Sequence, residues 1–305
     1  MTDAIRVAVA VITYRRPELL AELLASVQAQ QIDDRYAVRI VVVDNDAEGS
    51  AREVVDAAGG PFPITYRVEP EAGIPFARQR SVDLCADDDA LIFVDDDEQC
   101  PPGWLDALLT YWQRSGADVV TGPVHGLLPT GVPAWNRHSD VHSSRGKHRT
   151  GDRLPHAYTN NTLVTRAVLD EVTPAFDPAF RFTGSSDLHF FLRVARAGFD
   201  IRWVEEAEVT ERVPVSRTSL RWLAHRAFRS GAGDTIARRL IAPGVGSALK
   251  SIALAVARLG SGMLLLLAGL INGRPDRRIK GFRRLCSAAG SFAGLLGVNH
   301  EEYRR

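Results

Sequence analysis

Cysteine is scarce in this sequence: Cys85, Cys100 and Cys286 are scattered along 305 residues. No CxxC pair occurs, so neither a zinc site nor a disulfide framework is indicated, and a reducing cytoplasm fits. Lysine is rarer than its charge class would suggest. Only Lys147, Lys250 and Lys280 occur, and nearly all positive charge is arginine. No low-complexity tract is present, which sets aside fibrous and disordered classes. The opening MTDAIRVAVAVITYRRP lacks the basic n-region, long apolar core and small-residue cleavage site of a secretory signal. No GxGxxG follows the first apolar run and no GxxxxGKS/T occurs, so a dinucleotide fingerprint and a P-loop are both missing.

What is there is a globular composition, 45% hydrophobic and 24% charged, long enough for one large domain or two smaller ones. The formal net charge of zero hides an asymmetry. Residues 212–305 hold 17 Lys and Arg against 4 Asp and Glu, whereas the first 211 hold 20 against 33. A split of this kind suits a basic C-terminal region facing something anionic.

The first half alternates β-like runs with helical patterns. Apolar, β-branched runs fall at 5–12, 38–44, 62–68 and 90–97, with helical spacing at 17–30, 49–58 and 75–86. A second round places a helix at 103–116 and a strand at 117–124. Continuous apolar strands between helices predict an α/β fold with a mostly parallel sheet covered on both faces. Ligands of such sheets bind at the carboxyl ends of the strands. The polar groups following each strand are therefore the ones of interest: Thr13-Tyr14-Arg15, Asp44-Asn45-Asp46 and Asp95-Asp96-Asp97.

Residues 125–156 are polar and carry five histidines, His125, His138, His142, His148 and His156, whose spacing matches no metal-ligand pattern. A loop covering the site is expected instead. Strand then helix resumes at 157–169, and a helix is expected from about Ser186, followed by a strand. The tail differs. Residues 219–231 read as a basic amphipathic helix, and apolar runs at 251–271 and 281–297 are interrupted by Arg258 and by glycines. Each run falls short of the roughly 20 clean apolar residues that span a bilayer. Arginine clusters beside apolar helices predict attachment to an anionic membrane interface; a helical hairpin packed on the domain or on a second subunit is the alternative.

Residues 95–98 read Asp-Asp-Asp-Glu, four adjacent carboxylates at the end of an apolar run. A strand-end Asp-x-Asp, Asp95 and Asp97, offers hard oxygen ligands to Mg²⁺ or Mn²⁺, which would relieve the repulsion and bridge to a diphosphate. The alternative is a solvated acidic turn. Asp44 could accept from a uracil N–H, Tyr14 could stack on the base, and Arg15 and Arg78 could meet phosphate. Asp44-Asn45 would otherwise be turn formers, and Arg78 an exposed helix charge. Asp187, at the start of an amphipathic helix, is either a general base or a charge that complements the helix N-terminus.

Seven segments in order resemble glycosyltransferase family 2, the inverting nucleotide-sugar transferases of the GT-A fold. They are VAVAVITYRRPELLAELLASVQAQ, RIVVVDNDAEGSA, YRVEPEAGIPFARQRSVDLC, ALIFVDDDEQCPPGWLDALL, ADVVTGPV, TNNTLVTRAVL and FTGSSDLHFFLRVARAG, within residues 5–231. The wording around residues 69–80 and 94–105 is similar to bacterial exopolysaccharide glucosyltransferases of the succinoglycan type.

The resemblance implies a donor nucleoside held by Thr13, Tyr14, Arg15 and Asp44, with Arg78 near it. It implies Asp95 against ribose and metal, Asp97 on the metal, Asp96 as a further donor contact, and Arg226 near the diphosphate, with His225 its neighbour. It makes Asp187 the aspartate of the family's Glu-Asp pair and thus the base, although Ser186 stands where relatives carry Glu. Asn161 and Trp135 become acceptor contacts.

The expectation is a metal-dependent inverting transferase, residues 1–231, followed by a membrane-interfacial tail, residues 232–305. Its donor would be a UDP-type sugar and its acceptor a saccharide or a polyprenyl-diphosphate-linked oligosaccharide at the cytoplasmic face of the membrane. Nucleic acid is not an expected partner. A nucleotidyltransferase, or an inactive nucleotide-sugar-binding scaffold given Ser186, are the alternatives.

Overall fold

A computed structural model describes residues 4–138, 141–181 and 184–297, apart from the side chain of His138. The first elements are β1 (Ile5–Thr13), α1 (Pro17–Gln28), β2 (Tyr36–Asp44), α2 (Arg52–Ala57), β3 (Ile64–Val68), α3 (Ile74–Leu84) and β4 (Ala90–Asp95). There follow β5 (Glu98–Gln99), α4 (Trp104–Ser115), β6 (Val119–Thr121), β7 (Val124–Leu127), β8 (Thr162–Thr165) and α5 (Arg166–Glu171). The chain continues through α6 (Ser186–Ala197), β9 (Ile201–Trp203), β10 (Val209–Arg212), α7 (Leu220–Ile241), α8 (Val245–Ile271) and α9 (Pro275–Leu295).

Seven strands form the main sheet in the order β3-β2-β1-β4-β8-β6-β9, parallel except where β8 runs against β4 and β6. Alternate residues of the central strands serve opposite faces. Val7, Val9 and Val11 of β1 pack with Leu20, Leu24, Leu105 and Leu109 from α1 and α4. Ala8 and Ala10 pack with Val82, Val168, Phe190 and Phe191 from α3, α5 and α6. The register fixes the site: Thr13 pairs with Asp44 across β1–β2, and Ile12 pairs with Asp95 across β1–β4.

The strand expected over 117–124 is two strands. It breaks at Gly122-Pro123, and β7 joins β5 and β10 in a separate three-stranded sheet. That small sheet opposes Glu98 and Glu211.

The helix expected to end at residue 231 runs on to Ile241, so the boundary expected between 231 and 232 lies inside α7. Gly231 does not stop it, because that glycine is a contact: a Cβ there would strike the backbone oxygen of Ser287 on α9. Gly290 of α9 likewise lies against the backbone oxygen of Phe228. In the second pair, a Cβ on Gly281 of α9 would come within 2.6 Å of the Leu266 backbone nitrogen on α8.

These small residues let α9 lie close against both α7 and α8. Helix α8, at 27 residues, is long and apolar enough to cross a membrane by length and composition, contrary to the expectation that its run falls short. The interruption at Arg258 is only apparent in the sequence. Its guanidinium turns inward, to Asp234 on α7 and Ser291 on α9, and leaves the outer face apolar.

Candidate active site

The carboxyl ends of β1, β2 and β4 form the floor of the site. Between β1 and α1 the chain turns with Arg15 at φ 52°, which sends two consecutive arginines to different carboxylates. Arg15 pairs with Asp46 at 2.8 Å, and that hydrogen bond holds the Asp46 carboxyl below its usual range. Arg16 reaches Asp96 at 3.0 Å and Asp97 at 3.3 Å. Thr13 donates its hydroxyl to Asp96 at 2.8 Å, and both residues are buried. The Tyr14 ring lies 5.2 Å from the Arg15 guanidinium.

Three arginines thus face the acidic run. Arg16 serves Asp96 and Asp97, Arg78 from α3 lies 3.4 Å from Asp95, and Arg217 lies 3.7 Å from Asp97 while also pairing with Glu211. The compensation is incomplete. Burial, opposed by Arg16 and the Thr13 hydrogen bond and aided by the charges of Asp97 and Asp95, leaves Asp96 pushed up to about 6. Burial and then Asp95 raise Asp97 and Glu98, and burial and then Asp97 raise Glu211. Glu98 is spent structurally, accepting the Asp95 backbone N–H at 3.0 Å.

Such a cluster has an affinity for further positive charge. Asp95 and Asp97 carry hard oxygens of the kind that Mg²⁺ or Mn²⁺ takes, and would leave most of such an ion's shell to a diphosphate and water. Among the described residues no group of three or more His, Cys, Asp or Glu side chains converges as a self-sufficient metal site.

A cleft of about 440 Å³ opens beside this floor. It brings together Arg78, Asp95, Asp187 and Arg226 from four separate stretches of sequence, and adds Arg217 and Tyr158. Asp187 stands in the first turn of α6; Ser185, at φ 69°, turns the chain into the helix and offers no side-chain cap. The Asp187 carboxylate accepts the N–H of its neighbour Leu188 at 2.8 Å. Ser186 beside it is 2% exposed and faces the interior.

The Tyr158 ring is half exposed along the cleft while its hydroxyl end is crowded by protein. That crowding, with Asp187 and Asp234 nearby, pushes its pKa up to about 12. His142 stacks on Trp222, with ring centroids 5.1 Å apart, and the Arg226 guanidinium lies over the same indole, 5.3 Å from its centroid.

Several expected residues fall elsewhere. Asp44 is fully buried. Its oxygens accept the N–H groups of Asp46 at 3.0 Å and Ala51 at 2.8 Å and the Tyr66 hydroxyl at 2.9 Å, so it holds the turn after β2 and presents no exposed atom to a base. Asn161 is also fully buried. Its amide accepts from Trp104 Nε1 at 2.7 Å and donates to the Pro123 and Ala207 carbonyls, so it ties the two sheets together.

Trp135 lies on a 3₁₀ turn and does not line the cleft. Thr13, Tyr14, Arg15, Asp96 and Asp97 lie at the strand ends and outside the cleft lining. The polar stretch 125–156 does contribute a wall, through Val141–Ser144 and Lys147. Arg16, Arg217 and Tyr158 were not singled out by the sequence. The signal that could have found the two arginines is the acidic run itself, which demands counter-charges.

Comparison with known proteins accords with this geometry. The family described as Glycosyl transferase family 2 matches residues 8–173. The succinoglycan biosynthesis protein ExoM of Rhizobium meliloti (strain 1021) is 36% identical over 307 residues, covering 98% of this chain and 96% of that one. A pre-mycofactocin glycosyltransferase of Mycobacterium tuberculosis is 27% identical, covering 86% of this chain and 56% of the other.

Among solved structures, S. aureus TarS 1-349 superposes with a TM-score of 0.57 at 16% identity, covering 98% of this chain and 93% of that one. GalNAc-T7 with UDP, GalNAc and Mn²⁺ superposes at 0.55 and 13% identity, covering 76% and 48%. At these identities the two structures speak for the fold.

Proposed function

The chain belongs to glycosyl transferase family 2, and from that premise we propose a metal-dependent inverting transferase acting in polysaccharide biosynthesis. Its donor is a nucleoside-diphosphate sugar, UDP-linked in this reading. Its acceptor is a saccharide or lipid-linked oligosaccharide. Family membership sets the nucleotidyltransferase alternative aside. The observation that carries the reading is the single cleft holding Asp95, Arg78, Arg217, Arg226 and Asp187.

In this reading Tyr14 and Arg15 border the nucleoside, and Asp44 acts indirectly by holding the turn after β2. Arg78, Arg217 and Arg226 surround the diphosphate with fixed donors. A divalent cation held by Asp95 and Asp97 would offset the charge that develops on the leaving diphosphate.

Asp187 takes the proton of the acceptor hydroxyl as its oxygen bonds to the anomeric carbon. The bond from that carbon to the diphosphate breaks on the opposite face, and the nucleoside diphosphate departs with the electron pair. Attack in line inverts the anomeric centre, so an α-linked donor yields a β-linkage. The basic tail and the outward leucines of α8 support peripheral attachment to an anionic membrane surface, on the cytoplasmic side where nucleotide sugars are available.

A panel of nucleoside-diphosphate sugars incubated with the protein and Mn²⁺ tests the reading. Release of a nucleoside diphosphate from one donor is expected. Tight donor binding with no turnover, with any acceptor, would favour the inactive scaffold that Ser186 suggests.

A further inference from the structure

A second cavity, of about 610 Å³, lies among α7, α8 and α9. Four arginines line it: Arg226 from α7, Arg258 from α8, and Arg283 and Arg284 from α9. No carboxylate stands in its lining among the described residues. Asp234, behind the wall, pairs with Arg258, while Arg226 and Arg284 make no ion pair among the described residues and leave the lining positive. Guanidinium forks are matched to phosphate oxygens. The hydroxyl of Ser261 adds a further polar group, while Leu223 and Leu254 make the lining partly apolar.

Two features of its position restrict what could enter. The cavity shares Val141, Tyr158 and Arg226 with the catalytic cleft, so an occupant would lie next to the acceptor side of that cleft. Tyr158 lines both spaces. Of the exposed apolar residues of α8, Leu254 stands in the cavity lining, and Leu264, Leu267 and Ile271 follow farther along the same helix. A free sugar nucleotide has no use for that apolar border. An anion carried on an apolar chain uses both the arginines and the border.

We propose that this cavity holds the phosphorylated head of a lipid-linked acceptor, a phosphate or diphosphate on a polyprenyl-type chain. The chain lies along the outward leucines of α8, and the saccharide extends past Tyr158 toward Asp187. Arg226 then stands between two anions, the donor diphosphate in the cleft and the acceptor phosphate in the cavity. The proposal rests on the transferase reading above and adds to it where the acceptor is gripped.

The test titrates the full-length protein with geranylgeranyl diphosphate, pyrophosphate and geranylgeraniol, with UDP and Mn²⁺ measured alongside. Geranylgeranyl diphosphate is expected to bind at least about tenfold more tightly than either fragment, because both halves of the ligand contribute. Arg284→Glu, which reverses a charge, and Ser261→Phe, which fills space, should each weaken it by about tenfold or more. UDP affinity should be retained in both, which also reports that the variants fold.

Pyrophosphate binding as tightly as the prenyl diphosphate would overturn the lipid assignment. Prenyl diphosphate binding that neither variant weakens would overturn the cavity as its place. Displacement of the prenyl diphosphate by phosphatidylglycerol vesicles would reassign the cavity to bilayer headgroups and overturn the acceptor role. A wild-type chain that binds the prenyl diphosphate through these residues yet ignores UDP would support the cavity and count against the transferase reading.

Discussion

The sheet and the C-terminal helices bury opposite kinds of side chain. Around the sheet, Val, Leu, Ile and Phe fill the interior and charge collects at the strand ends. In α7–α9 the arrangement is reversed. The buried positions include Gly231, Asp234 and Thr235 on α7, Ser251 and Gly262 on α8, and Gly281, Gly290 and Ser291 on α9, together with several alanines and the larger Leu223 and Ile279. The exposed positions of α8 include Leu264 at 70% and Ile271 at 82%.

The first pattern suits a protein whose stability comes from removing apolar surface from water. The second suits helices held by close backbone approach and a polar network, with an outer face adapted to an apolar medium. The two regions meet at Arg226 and Tyr158, so the cleft proposed for the soluble donor adjoins helices whose outer face is apolar.

The comparison breaks most completely at the acidic floor. Asp97→Ala removes one carboxylate of the cation pair, and EDTA removes the cation. Both are expected to abolish turnover and cation-dependent nucleoside-diphosphate binding, read by calorimetry with and without Mn²⁺. Full activity in EDTA would remove the metal from the account.

The polar network inside the helices comes next. Asp234 accepts from Arg238 at 2.7 Å and also pairs with Arg258. Asp234→Leu leaves Arg258 partly buried without its anion, so a loss of about 3 kcal/mol is expected from chemical denaturation. An unchanged midpoint would mean that the network does not hold the helices.

The outward leucines should behave in the opposite way. Leu264→Ser combined with Leu267→Ser removes exposed apolar groups, so stability should stay within about 0.5 kcal/mol. Sedimentation with anionic vesicles should fall by about tenfold or more, since each buried leucine contributes roughly 1.5–3 kcal/mol. Binding of the unaltered chain should weaken with salt but persist, because the apolar part is not screened. Vesicle binding that ignores the leucines would mean these helices face protein.

The smallest effect concerns His142. Burial, then Arg226 and Arg217, lower its pKa to about 4 from an ordinary 6.5. The unfolded chain therefore takes up the proton first. The associated stability is complete above about pH 6.5 and is lost progressively toward pH 4. His142→Gln should reduce the fall in melting temperature between pH 7 and pH 5. Identical slopes would place the histidine in open solvent.

Much of the frame was legible because buried parallel strands leave continuous apolar runs, as in VAVAVI of β1 and VVV of β2. The polar residues after them therefore stood out. The start of α6 at Ser186 was legible from its apolar spacing.

What was not legible depends on side-chain direction or on distant partners. A carboxylate after a strand reads the same whether it faces a ligand, as Asp95 does the cleft, or turns back on its own loop, as Asp44 does. Asn161 is fixed by Trp104, Pro123 and Ala207, which lie on three other segments. Arg16 and Arg217 are far in sequence from the aspartates they face, and the glycines of α7–α9 resembled interruptions until their facing backbones were in place.

The central claim is that Asp187 is the proton acceptor in a cleft shared with the donor. It is tested most directly by Asp187→Asn, which keeps the shape and removes the basicity, with donor binding and transfer measured on the same preparation. Transfer is expected to fall by roughly 10²-fold or more while donor affinity is retained. Transfer that persists, or donor binding that collapses together with the fold, would contradict the claim and leave Asp187 as a structural residue of the α6 N-terminus.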